Sequence, residues 1–380
     1  MAGEMDKGKA RAYFAVRTKM FFVDLAASVV LALCFHIFLA ERVGRVITAG
    51  RSGMVFSYLV FSFIFFLFVR MGKLPIRYYS SFRVEHRFGL SREGYLGWMK
   101  DEASSSLLSL FLSVGCATVF FYVLRCFPRA WWLISAGSWV GFSVLMAGIF
   151  PVYVIPIFFK YVPLDDPILE REIKSMALRA GVGTVAVSKI DLSRKTVKVN
   201  AALVGIGTTR RVILADNLVN DLGREEVLAV VAHEFGHHMR GHIWKLIAFS
   251  GGLTLAAFGA LSVIFPYITK LAGVSAAYDM RLLPFLYIIS SVAGFLVMPL
   301  YNLFSCALEK EADDISLRIT RDPEAFIGMM EKLAEINLSV TDPSRLQKAV
   351  FYNHPPISER IENARKYAIS LSGDMPELSK

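Results

Sequence analysis

The sequence predicts a mainly α-helical fold: a polytopic membrane helix bundle with a small α+β domain outside the lipid. Three observations support this. Hydrophobic residues make up 55% of the 380, the mean hydropathy is +0.49, and six stretches have the length and freedom from charge needed to cross a bilayer as helices. That composition is too apolar for an ordinary soluble protein.

The spans are 20–40, with Asp24 near its start and His36 near its end, then 53–69, 103–124, 130–159, 246–269 and 282–308. A signal peptide is the competing reading of the first, but its basic preamble is long and no small-residue cleavage pattern clearly follows, which favours an anchor. The chain thus divides into an N-terminal membrane region (1–159, four transmembrane helices), a polar segment (160–245), a transmembrane hairpin (246–308) and a polar tail (309–380).

A formal net charge of +10 could suggest nucleic acid, but the basic residues form no single tract, and no nucleic-acid partner is expected. They follow the membrane instead. Lys7, Lys9, Arg11, Arg17 and Lys19 precede the first span, and Arg70, Lys73, Arg77, Arg83, Arg87, Arg92 and Lys100 follow the second. By the positive-inside rule this alternation puts both termini and the segment between the fourth and fifth spans in the cytoplasm. Cys34, Cys116, Cys126 and Cys306 lie in or beside membrane spans without paired spacing, so neither a disulfide framework nor a cysteine metal site is indicated.

Within the first polar segment, 167–180 reads as a helix, 184–188 and 196–204 as β-branched strands, 205–209 as a turn and 211–215 as a returning strand: a small sheet or hairpin. From Arg224 the period becomes helical, with no proline before 265, so one helix is expected to run on into the fifth span. The amphipathic run 357–369 predicts a helix in the tail.

The chemistry gathers at His233-Glu234-Phe235-Gly236-His237. On a helix, residues four apart share a face, so two imidazoles can grip one zinc ion while the carboxylate of Glu234, turned aside, reaches the attacking water. Zinc brings the pKa of such a water to about 7, within reach of a carboxylate base. A chance match on a surface helix is the bland alternative, since the pattern fixes three residues. The strand pair before it and the acids after the sixth span weigh against that. A catalytic zinc site takes three protein ligands and keeps one open position. Glu309 is the best-placed third ligand: Asn302, Ser305, Glu309, Ala312 and Asp313 share a stripe, whereas Glu311 and Asp314 point away. Asp313 would then orient a histidine. If the last two spans form an antiparallel hairpin, both ligand sets reach one face of the membrane, which favours a membrane-associated or lipid-attached peptide substrate. His238 is off the ligand face. His242 reads as a hydrogen-bonding or packing residue rather than a ligand.

These residues resemble the M48 peptidases, and among them the Ste24-type CAAX prenyl proteases more than the smaller HtpX heat-shock proteases. The likeness covers nearly all the chain beyond the first span. It is most specific over 199–245 and continues in Asn302-x-x-Ser305, Glu309-x-x-Ala312-Asp313, His354-Pro355-Pro356 with Glu359-Arg360, and Phe88-Gly89-Leu90. The resemblance implies one zinc ion per chain, completed by Glu309 and supported by Asp313. It implies that Asn200 and Ala201 lie on a strand edge where substrate backbone docks, and that His354 stabilises the oxyanion with Arg360 close by. The implied fold is a ring of membrane helices around a large chamber. Two departures stand out: Cys306 replaces the family's usual arginine, and six spans replace the seven of eukaryotic relatives, as though a first helix were missing.

The expected function is an integral membrane zinc metalloendopeptidase acting on membrane-associated or prenylated proteins, with CAAX-type C-terminal processing as one form. Quality control of membrane proteins is the runner-up within the same chemistry. A non-hydrolytic membrane zinc protein is the rival from another class, but it would need acids and histidines strung through the bundle, and here they collect at one face.

Overall fold

Apolar length becomes six membrane-capable helices: α1 Lys7–Ala49, α2 Met54–Arg87, α3 Tyr95–Cys126, α4 Trp131–Ile149, and, after the polar segment, His242–Leu271 and Met280–Thr320. The structure, a computed structural model, describes residues 2–50, 53–205 and 210–372. The turn predicted at 205–209 falls, over 206–209, outside the described residues. The fourth span, expected over 130–159, is helical from Trp131 to Phe158 but not α-helical throughout. Its α-helix gives way after Ile149 to a π-helical segment, Phe150–Val154, and resumes as Ile155–Phe158, in a stretch where Pro151 and Pro156 withhold backbone donors.

The polar segment supplies β1 Tyr161–Pro163, α5 Pro167–Arg179, β2 Ala186–Ile190, β3 Ala201–Val204, β4 Arg211–Ala215 and α6 Arg224–Met239. The sheet order is β1-β2-β4-β3: β2 and β4 run parallel, the outer pairs antiparallel, and β3 is an edge. The strand expected from 196 begins only at 201, because the preceding residues bind elsewhere. Val197 N–H and the Thr196 hydroxyl donate to the Leu90 carbonyl, and Lys198 pairs with Glu85 at 2.9 Å. A further correction concerns the helix expected to run unbroken from 224 into the fifth span. It breaks at Gly241, whose φ of 60° and ψ of 36° are left-handed, and α7 starts afresh at His242. Glycine adopts that conformation without steric cost, so no proline is needed to turn the chain.

The sixth span is α8, Met280–Thr320; α9 Pro323–Ile336, α10 Arg345–Phe351 and α11 Ile357–Ser372 complete the fold. The membrane helices touch in the circular order α8, α1, α2, α3, α4, α7, and α7 closes back on α8. Two ion pairs join neighbouring helices of the ring, where an unpaired charge facing lipid would be costly: Lys73 reaches Asp24 at 2.6 Å, and Arg77 reaches Glu102 at 2.9 Å. Aromatic packing of Phe35, Phe61, Phe65, Phe121 and Trp131 fills one end of the ring. At the other end α6 sinks Val227, Val231 and Phe235 into a core with Val212, Leu214, Leu317 and Phe326. Each such side chain contributes about 1.5–3 kcal/mol of burial, which anchors the motif helix.

Candidate active site

Two helices cross to make the site, and a missing side chain sets their separation. A Cβ placed on Gly236 of α6 would lie 2.9 Å from the Cα and 3.0 Å from the carbonyl oxygen of Ala312 on α8. About one turn further along α8 and two turns back along α6, the Ser316 hydroxyl donates to the Ala229 carbonyl at 2.8 Å in full burial. The glycine in the motif therefore allows backbone-to-backbone approach, and that approach brings Glu309 beneath the two histidines.

His233 Nε2 and His237 Nε2 face each other at 3.1 Å, and each lies 3.3 Å from a carboxylate oxygen of Glu309. Their ligand atoms all fall within 4.8 Å of one another. Tetrahedral ligands about 2.0–2.1 Å from a zinc ion would stand about 3.3–3.4 Å apart, so the donor set and its spacing fit such an ion. His233 and Glu309 are buried and His237 is half-buried.

Carboxylates orient both imidazoles from behind. Asp313 Oδ1 lies 2.9 Å from His233 Nδ1, and Arg360 grips the two oxygens of Asp313, its Nε at 2.8 Å. On the other side Glu311 Oε2 lies 2.8 Å from His242 Nε2, and His242 Nδ1 lies 2.9 Å from His237 Nδ1. If Glu311 takes the Nε2 proton of His242, the Nδ1 proton belongs to His237 and its Nε2 lone pair is free for a metal. Glu311, read from the sequence as pointing away, does leave the ligand face; it serves the second histidine through His242. Sequence reasoning missed this relay. The available signal was an imidazole at the head of an apolar helix, where a buried polar ring needs a partner.

Glu234 sits half-buried beside the ligands, and burial pushes its carboxyl above the usual range against the pull of His233 and His237; the Leu203 N–H of edge strand β3 also bonds to it. Burial would depress the His233 imidazole, but its hydrogen bonds to Asp313 and Glu309 outweigh that and raise it to about 9. Ahead of the site lies a cavity of about 320 Å³ whose walls include Asn200, Ala201, His233, Glu234, His354 and Arg360. The sequence-derived residues thus converge on one cleft. His354 comes nearer the ligands than its expected role requires, with Nδ1 2.7 Å from Glu309 Oε2, and Arg360 spends its guanidinium on Asp313.

What holds His354 there was also missed. Asn302 donates to the carbonyls of Ala349 and Val350, the second at 2.6 Å, and Cys306 donates to the Tyr352 carbonyl at 3.4 Å. The Cys306 thiol therefore binds the backbone of the segment that carries His354.

With this geometry established, similarity to known proteins can be stated. The profile of peptidase family M48 matches residues 163–368, and that of the CAAX prenyl protease N-terminal region, described as five membrane helices, matches residues 4–160. Among the described residues that region of this chain has four helices able to span. An uncharacterised metalloprotease of Bacillus subtilis is 28% identical over 365 residues, 94% of this chain and 85% of that protein. CAAX prenyl protease 1 of Saccharomyces cerevisiae is 28% identical, covering 76% of this chain and 67% of its own length. The crystal structure of Ste24p from S. mikatae superposes with a TM-score of 0.83 at 23% identity, covering 95% of this chain and 89% of that one, which establishes the shared fold.

Proposed function

This chain belongs to peptidase family M48 and is an integral membrane metalloprotease; from that premise we propose that zinc is its metal and that it cleaves membrane-associated proteins near their lipidated C termini at the cytoplasmic face. His233, His237 and Glu309 hold the ion, and Asp313, Arg360 and His242 orient the ligands. A zinc ion held there would supply Lewis-acid chemistry, lowering the pKa of the attacking water and polarising the scissile carbonyl. Glu234 takes the proton of the attacking water and returns it to the leaving amine. Asn200 and Ala201 align extended substrate backbone along β3. His354, half-exposed in the cleft, donates to the carbonyl oxygen as charge builds on it. The domain division at 160, 246 and 309 describes how these parts are distributed along the chain.

The observation that carries the reading is the spacing of the ligand groups, 3.1 Å between the two Nε2 atoms and 3.3 Å from each to one of the two Glu309 oxygens, with a carboxylate base beside them. The prenylated substrate class is supported by the name of the yeast relative, a CAAX prenyl protease. The cytoplasmic assignment is supported by the basic residues in the N-terminal part of α1 and the C-terminal part of α2. The test is Glu234→Gln in the purified, full-length enzyme. Zinc stays at one ion per chain while cleavage of a prenylated peptide falls by about 10²–10⁴-fold, the range of a general base. Full activity in that variant removes Glu234 from the reaction, and equal cleavage of prenylated and unprenylated peptides removes the lipid from the substrate definition.

A further inference from the structure

A second cavity of about 650 Å³ adjoins the active-site cleft, and none of the chemistry above uses it. Val340 and Phe351 belong to the walls of both, so these two side chains stand between the two spaces. The far wall is one face of α1, where Arg11, Phe14, Thr18 and Phe22 recur at helical spacing and Lys19 lies beside them. The Phe351 ring stands edge-on to those of Phe14 and Phe22, at 5.9 and 6.2 Å.

This cavity is apolar on its walls and cationic on its rim. Arg11 and Lys19 are exposed, and neither makes an ion pair among the described residues, whereas Arg17 on the same helix approaches Glu85 at 3.7 Å. Asp342 is the one acid in the lining, so two cations stand against one anion. A single anion at the end of a short apolar body complements that arrangement.

We infer that this annex receives the C-terminal end of the substrate named above, and that Arg11 and Lys19 are the residues that bind its free α-carboxylate. The inference rests on the peptidase reading above. In hydrolysis the C–N bond breaks, the water's oxygen joins the acyl part, and a proton passes to the amine of the leaving fragment. That fragment carries the α-carboxylate. Extended peptide advances about 3.3 Å per residue, so a few residues reach from the cleft into the space next to it. The volume lies within the roughly 300–1,000 Å³ of ligand pockets, and a carboxylate between two cations gains charge-assisted hydrogen bonds.

The test uses binding rather than turnover. Full-length Glu234→Gln enzyme in detergent is titrated with two fluorescent peptides of one sequence, each prenylated and unprenylated, that differ only in ending as the free acid or the amide. The acid binds about tenfold tighter than the amide, the scale of a hydrogen bond to a charged group. Adding Arg11→Gln and Lys19→Gln abolishes the difference, and the charge-keeping pair Arg11→Lys and Lys19→Arg retains it. Equal binding of acid and amide overturns the inference, as does an acid preference that survives loss of both cations. An acid preference without any effect of the prenyl group overturns the lipidated-substrate reading alone, and absence of binding by every peptide overturns both.

Discussion

The crossing of α6 and α8 and the course of α7 through the membrane use glycine in opposite ways. At the crossing Gly236 is pressed against the Ala312 backbone, with 2.9 Å for any added Cβ. In α7 Gly252 has nothing within 4 Å, and none of the residues in the helix's most apolar window is buried. The metal-binding end is held by direct contact between backbones, whereas the membrane end is a ring of helices that mostly face lipid or the space they surround. Rigidity is concentrated where three ligand atoms must stay within a few tenths of an ångström of one geometry.

Removing a ligand strikes the contact-built region hardest. Glu309→Ala leaves two imidazoles, too few for a stable zinc site; dialysed protein is expected to fall from one zinc per chain to nearly none by elemental analysis, and retained tight binding would transfer the role to another residue. Next comes Gly236→Ala, a substitution that in an open helix is favourable by about 1 kcal/mol. Here overpacking is expected to reverse the sign and cost about 1–3 kcal/mol, read as a lowered unfolding temperature together with weakened metal binding.

His242→Phe keeps the volume but breaks the relay from Glu311 to His237, and metal affinity is expected to drop about 10–100-fold, measured by competition with a chelator; an unchanged affinity would reduce His242 to packing. Burial raises the Glu234 carboxyl above its ordinary 4.5. The base must be ionised to act, so kcat/KM is expected to fall on acidification with its midpoint above pH 4.5, and an acid limb below that value would contradict the buried setting. Gly252→Ala is the smallest change, neutral or stabilising by up to about 1 kcal/mol. A loss as large as that of Gly236→Ala would mean that the membrane end is packed as tightly as the site.

Much of this was legible in the chain. Six apolar runs, the His233–His237 spacing and the Glu309–Asp313 stripe depend on local period, which sequence records directly. What escaped depended on partners far away. The 196–200 stretch has β-branched character but binds the 85–90 loop, Tyr161–Pro163 becomes a strand only because β2 lies beside it, and Asn302 is an anchor only once α10 folds over it. Gly241 was visible as a residue, yet its left-handed φ is chosen by the two helices that meet there. Cys306 likewise stood out as an exchange for arginine, and only the fold supplied its acceptor, the Tyr352 carbonyl.

The edge position of β3 bears on fidelity. A strand that recognises a guest through amide groups alone is indifferent to the guest's side chains, so almost any unfolded stretch could be threaded along it. If β3 aligns substrate as proposed, discrimination falls to the annex and to how a polypeptide is delivered, and a blade of this kind is safe only when tethering or confinement decides what comes within its reach.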